Sequence, residues 1–574
     1  MAGRGLFTLN RAGMLGALLV ALLTAATAMA QAPKGVVPPD AAPPPLMYHG
    51  LFPGRDNAIK VRLELGKPVY EGHWYNYKLY YPAEGRDGYI DVVHLRGDKP
   101  GDLLADVEAA SVPKGYTTDA EIRAKLGEPE YELRMATWRM LDYSEKGLRF
   151  ALNAAGKTIG VAYLPEGYRR VPKGERSLMD LSHLRQGEQP RPAKPADLGG
   201  LQCGTAEKDV TPLEQDWLKE PFTVHDPLKA RIAVFRRGDL TIGFVGIDVF
   251  GMGKQDIDPI RAAGKKAGVD YVVFAMAHNH ASGDTSGFYG FYPAKYVAHI
   301  QKQVEDGLAE AVSHLQPVAV FRTASKELPM DGIRVQGLFR NARNPGVLDP
   351  TISILQAIGA DGKAITTIVN FACHVESIAN GGRVISADFP SPMCDQIRAD
   401  GGGQAVFLNG ALGGMVSGDN PARTPESSHQ MGLKLAKIVK VLTDNAQPPA
   451  TFAFSAETRP VEIPVTNQKF LPLFKDGPRK LHRGRVVTDM TYIQLGEAQI
   501  VTLPGEMLPE VSFEVLEHMK GFPRILVGLG NDQLGYMPPP YDFRADAYEE
   551  SVSVGPAMAT QIRDMAIRML DGSR

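Results

Sequence analysis

Cysteine is nearly absent: 574 residues carry only Cys203, Cys373 and Cys394. At most one intramolecular disulfide can form, so a packed core, not a disulfide framework, must supply the stability of this chain. The lack of any CxxC spacing also argues against zinc ligation by cysteine. An excess of either charge is also missing. With 63 Lys and Arg against 65 Asp and Glu the net charge is −2 and no basic stripe stands out, so nucleic acid is not an expected partner. Beyond the first thirty residues no long apolar run occurs, which leaves no further candidate for a membrane span.

The first thirty residues have their own pattern. Arg4 and Arg11 precede an apolar stretch from Met14 to Ala30 that closes on Ala28-Met29-Ala30, the small-x-small form of a cleaved signal peptide. A mature chain starting at Gln31 and exported to the periplasm or outside the cell is expected. No cysteine lies near the cleavage point, which argues against a lipid anchor.

Hydrophobic content of 44% with 22% charged residues is that of a globular protein, and the length calls for two or three domains. Residues 31–46 form a Pro/Ala-rich linker, and 185–199 are again Pro-rich and without periodicity. Between them, 47–184 read as a small α+β accessory domain. Thr118 and Glu121 fit a capping box, Gly127 and Pro129 stop the helix, and three strand-like runs over 133–143, 148–152 and 158–164 suggest an antiparallel meander. From 200 to 574, short runs of Val, Ile and Ala alternate with helical stretches such as 292–313 and 428–443. That alternation predicts an α/β domain on a largely buried mixed sheet.

Five apolar runs in this half end in polar or glycine-rich segments. Tyr271–Met276 leads into Ala277-His278-Asn279-His280, Ile365–Ala372 into Cys373-His374, and Ala405–Leu408 into Asn409-Gly410 and then Gly413–Ser417. Ile500–Leu503 ends at Pro504-Gly505-Glu506, and Ile525–Leu529 at Gly530-Asn531-Asp532 and Tyr536. Ligands bind beyond the carboxyl ends of strands in open α/β sheets. Two histidine-bearing ends and one glutamate are a plausible set for a catalytic zinc with an open position. On an extended backbone His278 and His280 point the same way, and one ligand plus one acid/base partner is the better division of labour. Against this, a lone strand-end histidine is commonly structural and Pro-Gly-Glu is an ordinary turn.

In series these residues resemble the neutral/alkaline, non-lysosomal ceramidase family. Gly204-Thr-Ala-Glu-Lys-Asp209-Val-Thr is similar to its G-x-a-x-x-D-I-T segment, and His278-Asn-His280-Ala-Ser-Gly283 to H-T-H-S-G-P. Asn370-Phe-Ala-Cys-His374-Val-Glu-Ser377 resembles f-A-x-H-x-T-S, with Ser386-Ala-Asp388 as its S-x-D. Leu412–Asn420 resembles L-G-D-V-S-P-N, Leu503-Pro-Gly-Glu506 matches x-P-G-E, and Gly530–Tyr536 resembles A-N-D-x-x-G-Y.

The resemblance implies a Zn2+-dependent hydrolase of the N-acyl amide of ceramide or a related lipid amide, reached through peripheral contact with a membrane. It implies His278, His374, Glu506 and Tyr536 as zinc ligands and Ser417 as an orienting group or nucleophile; His280 is the candidate for proton transfer because an imidazole titrates near neutrality, its alternative being support of the ligand residues. It implies Asp388 as an outer-shell carboxylate orienting a ligand histidine, its alternative being a helix cap near Ser391-Pro392. Arg343 falls in a stretch near the substrate in the family, the alternative being a solvated loop. Departures also occur: Gly414 and Gly418 replace the family's aspartate and proline, and Ala281-Ser-Gly-Asp continues the histidine motif differently. A metallohydrolase of non-sphingoid amides or esters, or a non-catalytic exported binding protein, stand as the alternatives.

Overall fold

Apolar runs too short for helices become strands buried on both faces. The structure, a computed structural model, describes residues 46–572 apart from 75, 166–167, 169–177, 185–191, 193, 289, 379–382, 421, 477–478 and 545–546. The expected signal peptide over 1–30, almost all of the 31–46 linker and part of 185–199 lie outside the described residues. The fold is mixed α/β with several mixed sheets.

Residues 70–180 build a nine-stranded sheet, antiparallel except where Tyr131–Arg134 pairs with Leu178–Asp180. Its helix Asp119–Leu126 starts at Thr118, whose hydroxyl accepts from Glu121 N at 3.3 Å. Glu121 reaches back chiefly to Thr117, accepting from its N–H at 2.7 Å and its hydroxyl at 2.8 Å. The 133–143 run is two strands, Tyr131–Arg134 and Trp138–Tyr143, folded on each other as a hairpin. The turn between them is held from outside this sheet: Glu327 accepts from Ala136 N and Thr137 N.

The second half is organised by an eight-stranded mixed sheet. Tyr271–Met276 forms one edge, parallel to Leu240–Ile247, and Gln404–Asn409 forms the other, parallel to Ala364–Phe371. The two edges do not stay apart. At Gly246 any side chain would meet Phe407 O at 2.4 Å, so this glycine lets the two halves of the sheet lie face to face. A four-stranded sheet packs on them, with Ala498–Thr502 parallel to Arg524–Val527. Helices Ala294–Ser313 and Pro425–Asn445 cover the outer faces, each burying a stripe at helical spacing.

Closure brings four strand ends to one place, and Asn409 wires three of them. Its fully buried amide donates to Ala277 O at 2.7 Å and Cys373 O at 2.8 Å and accepts from Cys373 N at 3.1 Å. Its carbonyl takes Gly528 N at 2.9 Å from the fourth end.

Candidate metal centre

Past each strand end the backbone sets a side chain. After Met276 the chain leaves the extended conformation, and His278 sits at φ 62°. A left-handed residue that is neither Gly nor Asn is costly and persists only where its surroundings hold it. Asn279 holds it here, donating to Asp248 O at 3.2 Å and Ser386 O at 2.7 Å. The next link is a one-residue parallel bridge from Asn279 to Val375, with His280 N donating to Val375 O at 2.9 Å. It places the His278–His280 and Cys373–Glu376 loops side by side. His374 N in turn donates to Val416 O at 2.7 Å. Glu506 and Tyr536 face each other in a two-residue parallel ladder and project together.

The result is a closed cluster. His374 Nε2 lies 3.1 Å from Glu506 Oε2 and 3.2 Å from Tyr536 OH, and His278 Nε2 lies 3.3 Å from the same Glu506 oxygen. All four residues are buried, and the ligand nitrogens of His278, His280 and His374 fall within 4.8 Å of one another. The hydrogen-bond chemistry tests whether a metal fits. Nδ1 of His278 is 2.9 Å from Phe250 O, and Nδ1 of His374 is 3.1 Å from Val416 O, so each must carry its proton on Nδ1. Each Nε2 then faces the Glu506 carboxylate, either protonated and donating to it or unprotonated with a cation between them, and the second arrangement fits a metal ion. The spacing agrees, since four ligands about 2.0–2.1 Å from a tetrahedral ion sit about 3.3 Å apart. Carbonyl-fixed histidine tautomers are the usual outer-shell support of a metal site. Glu506 Oε1 is steadied by Gln533 Nε2 at 3.0 Å.

The electrostatics leave Glu506 charged and its countercharge on His374, a role that a bound cation would take over. Burial opposes ionisation of Glu506, yet His278 and His374 hold its carboxyl well below the usual range. Burial works against a charge on His374, and Glu506 and Glu376 outweigh it, raising the ring above its ordinary value. His280 behaves differently: burial, then His278, brings it down to about 3, and its Nε2 has no hydrogen-bond partner.

Three expectations change. The extended-backbone argument for His278 and His280 fails, because neither lies in a strand; their rings converge, with centroids 4.8 Å apart, through a left-handed turn. Asp388 orients no histidine. Its carboxylate accepts from Phe389 N at 2.6 Å, Ile378 N at 3.1 Å and the Ser428 hydroxyl, tying the start of helix Pro390–Ala399 to helix Pro425–Asn445. Backbone carbonyls do the orienting instead. Arg343 does not lie in a solvated loop: its guanidinium pairs with Asp542 at 2.9 Å, Glu550 at 2.6 Å and Glu549, with Nε left unpartnered, and these pairs anchor the helix whose Tyr548 packs edge-on against Tyr536.

Ser417 lies in the site, bridged to His374, with Oγ 3.2 Å from Met415 O. Its hydroxyl also reaches Glu376, a buried carboxylate missing from the expected set. Burial would raise Glu376, but Arg423, then His374, His280 and Ser417, take it down to about 2. In the histidine motif only its place two residues after His374 could have marked it. Asn409 was legible as a strand end but not as the residue that joins three of them.

No protein-family model and no curated protein matches the chain. Among solved structures it is similar to neutral ceramidase from Pseudomonas aeruginosa, with a TM-score of 0.54 and 16% identity over 66% of this chain and 75% of that one. A ceramidase complexed with C2 gives a TM-score of 0.54 and 16% identity over 65% and 76%. The chain therefore shares the fold of neutral ceramidase.

Proposed function

We propose that the chain is an exported zinc-dependent amidohydrolase that cleaves the N-acyl amide of ceramide or a related lipid amide. The observation that carries this reading is the convergence of His278 Nε2 and His374 Nε2 on Glu506 beside the Tyr536 hydroxyl. Those four residues would hold the ion. Zinc so held supplies Lewis acidity, which lowers the pKa of water toward neutrality and polarises an acyl carbonyl.

The chain's own residues complete the chemistry. His280 Nε2, unpartnered and beside both ligand histidines, is placed to take a proton from the attacking water and pass it to the leaving amine. Ser417 is better suited to orient substrate than to attack. Its hydroxyl is engaged with Met415 O and Glu376 and not with His280 Nε2, which has no hydrogen-bond partner. Residues 200–574 form the catalytic domain in this reading and 47–184 the accessory domain. Export with cleavage near Ala30, and peripheral contact with a membrane for access to substrate, belong to the same proposal.

The test is metal content together with release of fatty acid from N-acylsphingosine, with and without chelator. Less than stoichiometric metal, unchanged in His374→Ala, would overturn the metal site. Full metal without turnover would overturn the substrate alone.

A further inference from the structure

Glu506 is held at both carboxylate oxygens. Oε2 faces the two histidine Nε2 atoms, whereas Oε1 accepts from Gln533 Nε2 at 3.0 Å. The partner fixes how that amide is turned, because a carboxylate only accepts and Gln533 must present its nitrogen. Gln533 is 3% exposed, and its own Oε1 has no hydrogen-bond partner. A buried amide satisfied on one atom alone costs stability that a Met or Leu of similar size would not. Packing therefore gives no reason for a glutamine here, and the one hydrogen bond its side chain makes among the described residues goes to Glu506.

The backbone fixes where this amide stands. Residues 531–536 run along 504–506: Leu534 N donates to Pro504 O at 3.1 Å, Glu506 N donates to Gly535 O at 2.9 Å, and Glu506 pairs with Tyr536 in the parallel ladder. One residue before Gln533, the fully buried Asp532 accepts from Gln533 N at 2.9 Å, Lys254 N at 2.9 Å and the Thr488 hydroxyl at 2.7 Å. It also accepts from both terminal nitrogens of Arg479, at 2.6 and 2.7 Å. The stem of Gln533 lies against Gly251, where any Cβ would come within 3.0 Å of Gln533 Cγ. Gly251 follows Phe250, whose carbonyl turns His278.

A carboxylate can meet an ion through one oxygen or through both. Coordination through both requires Oε1 to swing toward the ion and give up its bond to Gln533. Kept on Gln533, Oε1 stays outside and Glu506 counts once. The ligand number then stays low, which suits zinc, whereas Mn2+ suits octahedral sites of oxygen ligands.

We infer that Gln533 is a positioning residue that holds Glu506 to one metal contact, through Oε2, and so makes the centre selective for zinc over larger six-coordinate cations. This inference rests on the metal centre of the amidohydrolase reading and deepens it by naming the residue that selects the ion.

The test loads the full chain with Zn2+, Mn2+ or Co2+ and measures affinities by competition with a chromophoric chelator. Zinc outbinds Mn2+ at most nitrogen and oxygen sites, so the change in ratio decides. Gln533→Met keeps the length and removes both polar atoms. It is expected to weaken Zn2+ by about 10–100-fold, the usual cost of losing an outer hydrogen bond, and to leave Mn2+ within about threefold. A merely structural role would lower both affinities together with the melting temperature and leave the ratio unmoved; that result overturns the inference, as does an unchanged Zn2+ affinity. Cobalt gives a reading that needs no variant, since Co2+ absorbs strongly with four or five ligands and weakly with six. The wild-type protein is expected to absorb strongly, and a six-coordinate spectrum overturns the inference even if Gln533→Met fails to fold. Hydrolysis of N-acylsphingosine by the same zinc-loaded protein separates the two readings. Turnover with an unmoved ratio overturns the role of Gln533 alone, and a narrowed ratio without turnover overturns the amidohydrolase and leaves Gln533 in its role.

Discussion

Glu506 Oε2 is shared by two histidines, 3.1 Å from His374 Nε2 and 3.3 Å from His278 Nε2, while each ring spends its Nδ1 proton on a backbone carbonyl. Glu506→Gln keeps the shape and removes the charge that balances a cation. Bound metal is expected to fall below a tenth of stoichiometry at micromolar free zinc, with hydrolysis falling in step. Elemental analysis after dialysis checks it, and retention of full metal would show that the carboxylate is no ligand.

His280 sits in the same cluster with a different task. His280→Gln should keep stoichiometric metal and lose a factor of about 10²–10⁴ in kcat, the usual contribution of a positioned acid or base. Metal content and kcat measured on one preparation separate the roles. Loss of metal would make His280 a ligand.

Asn409→Ala removes an amide that bonds to Ala277 O, Cys373 O and Cys373 N, all at buried positions. Leaving such groups unpaired should cost about 2–4 kcal/mol in urea unfolding. Metal affinity should fall as well, since the histidine-bearing ends lose their tie, although Asn409 touches none of the ligand side chains. A stability change below ~1 kcal/mol would contradict the role given to this residue.

Asp256 predicts a pH dependence. Burial, offset by Tyr292 and Gln255, raises its carboxyl to about 6, so the folded chain holds this proton more tightly than the unfolded chain. Stability from this group therefore falls as pH rises from about 4 to about 6, and the cost is fully present above that window. Asp256→Asn should abolish that slope and stabilise the protein by about 1–2 kcal/mol at pH 7.5, below the ceiling set by the shift because a helix N-terminus loses a negative charge. The amide has a partner waiting, because Gln255 Oε1 lacks one. Denaturation at pH 5 and 7.5 reads both effects.

Much of the second half was legible because its strands are buried on both faces and show as short apolar runs. The runs at 271–276, 405–408 and 500–503 appear as Tyr271–Met276, Gln404–Asn409 and Ala498–Thr502, and helix 292–313 as Ala294–Ser313. In the first half the 133–143 run hid a hairpin, since its turn at Ala136 and Thr137 lacks turn residues and is stabilised by Glu327, nearly two hundred positions away.

The sequence by itself determined which residue types end which strands, and so put His278, His374 and Glu506 within reach of one site, with Tyr536 added by the family resemblance. Only the tertiary structure decided how they meet. It set His278 in a left-handed turn held by Asn279, turned both histidines through carbonyls of Phe250 and Val416, and brought Glu376 in beside Ser417. It also drew Asp388 off the histidines and gave Arg343 carboxylate partners. The physical reason is that strand ends are written locally, in runs and turns, whereas hydrogen-bond partners of a buried polar group come from wherever the fold brings a matching donor or acceptor.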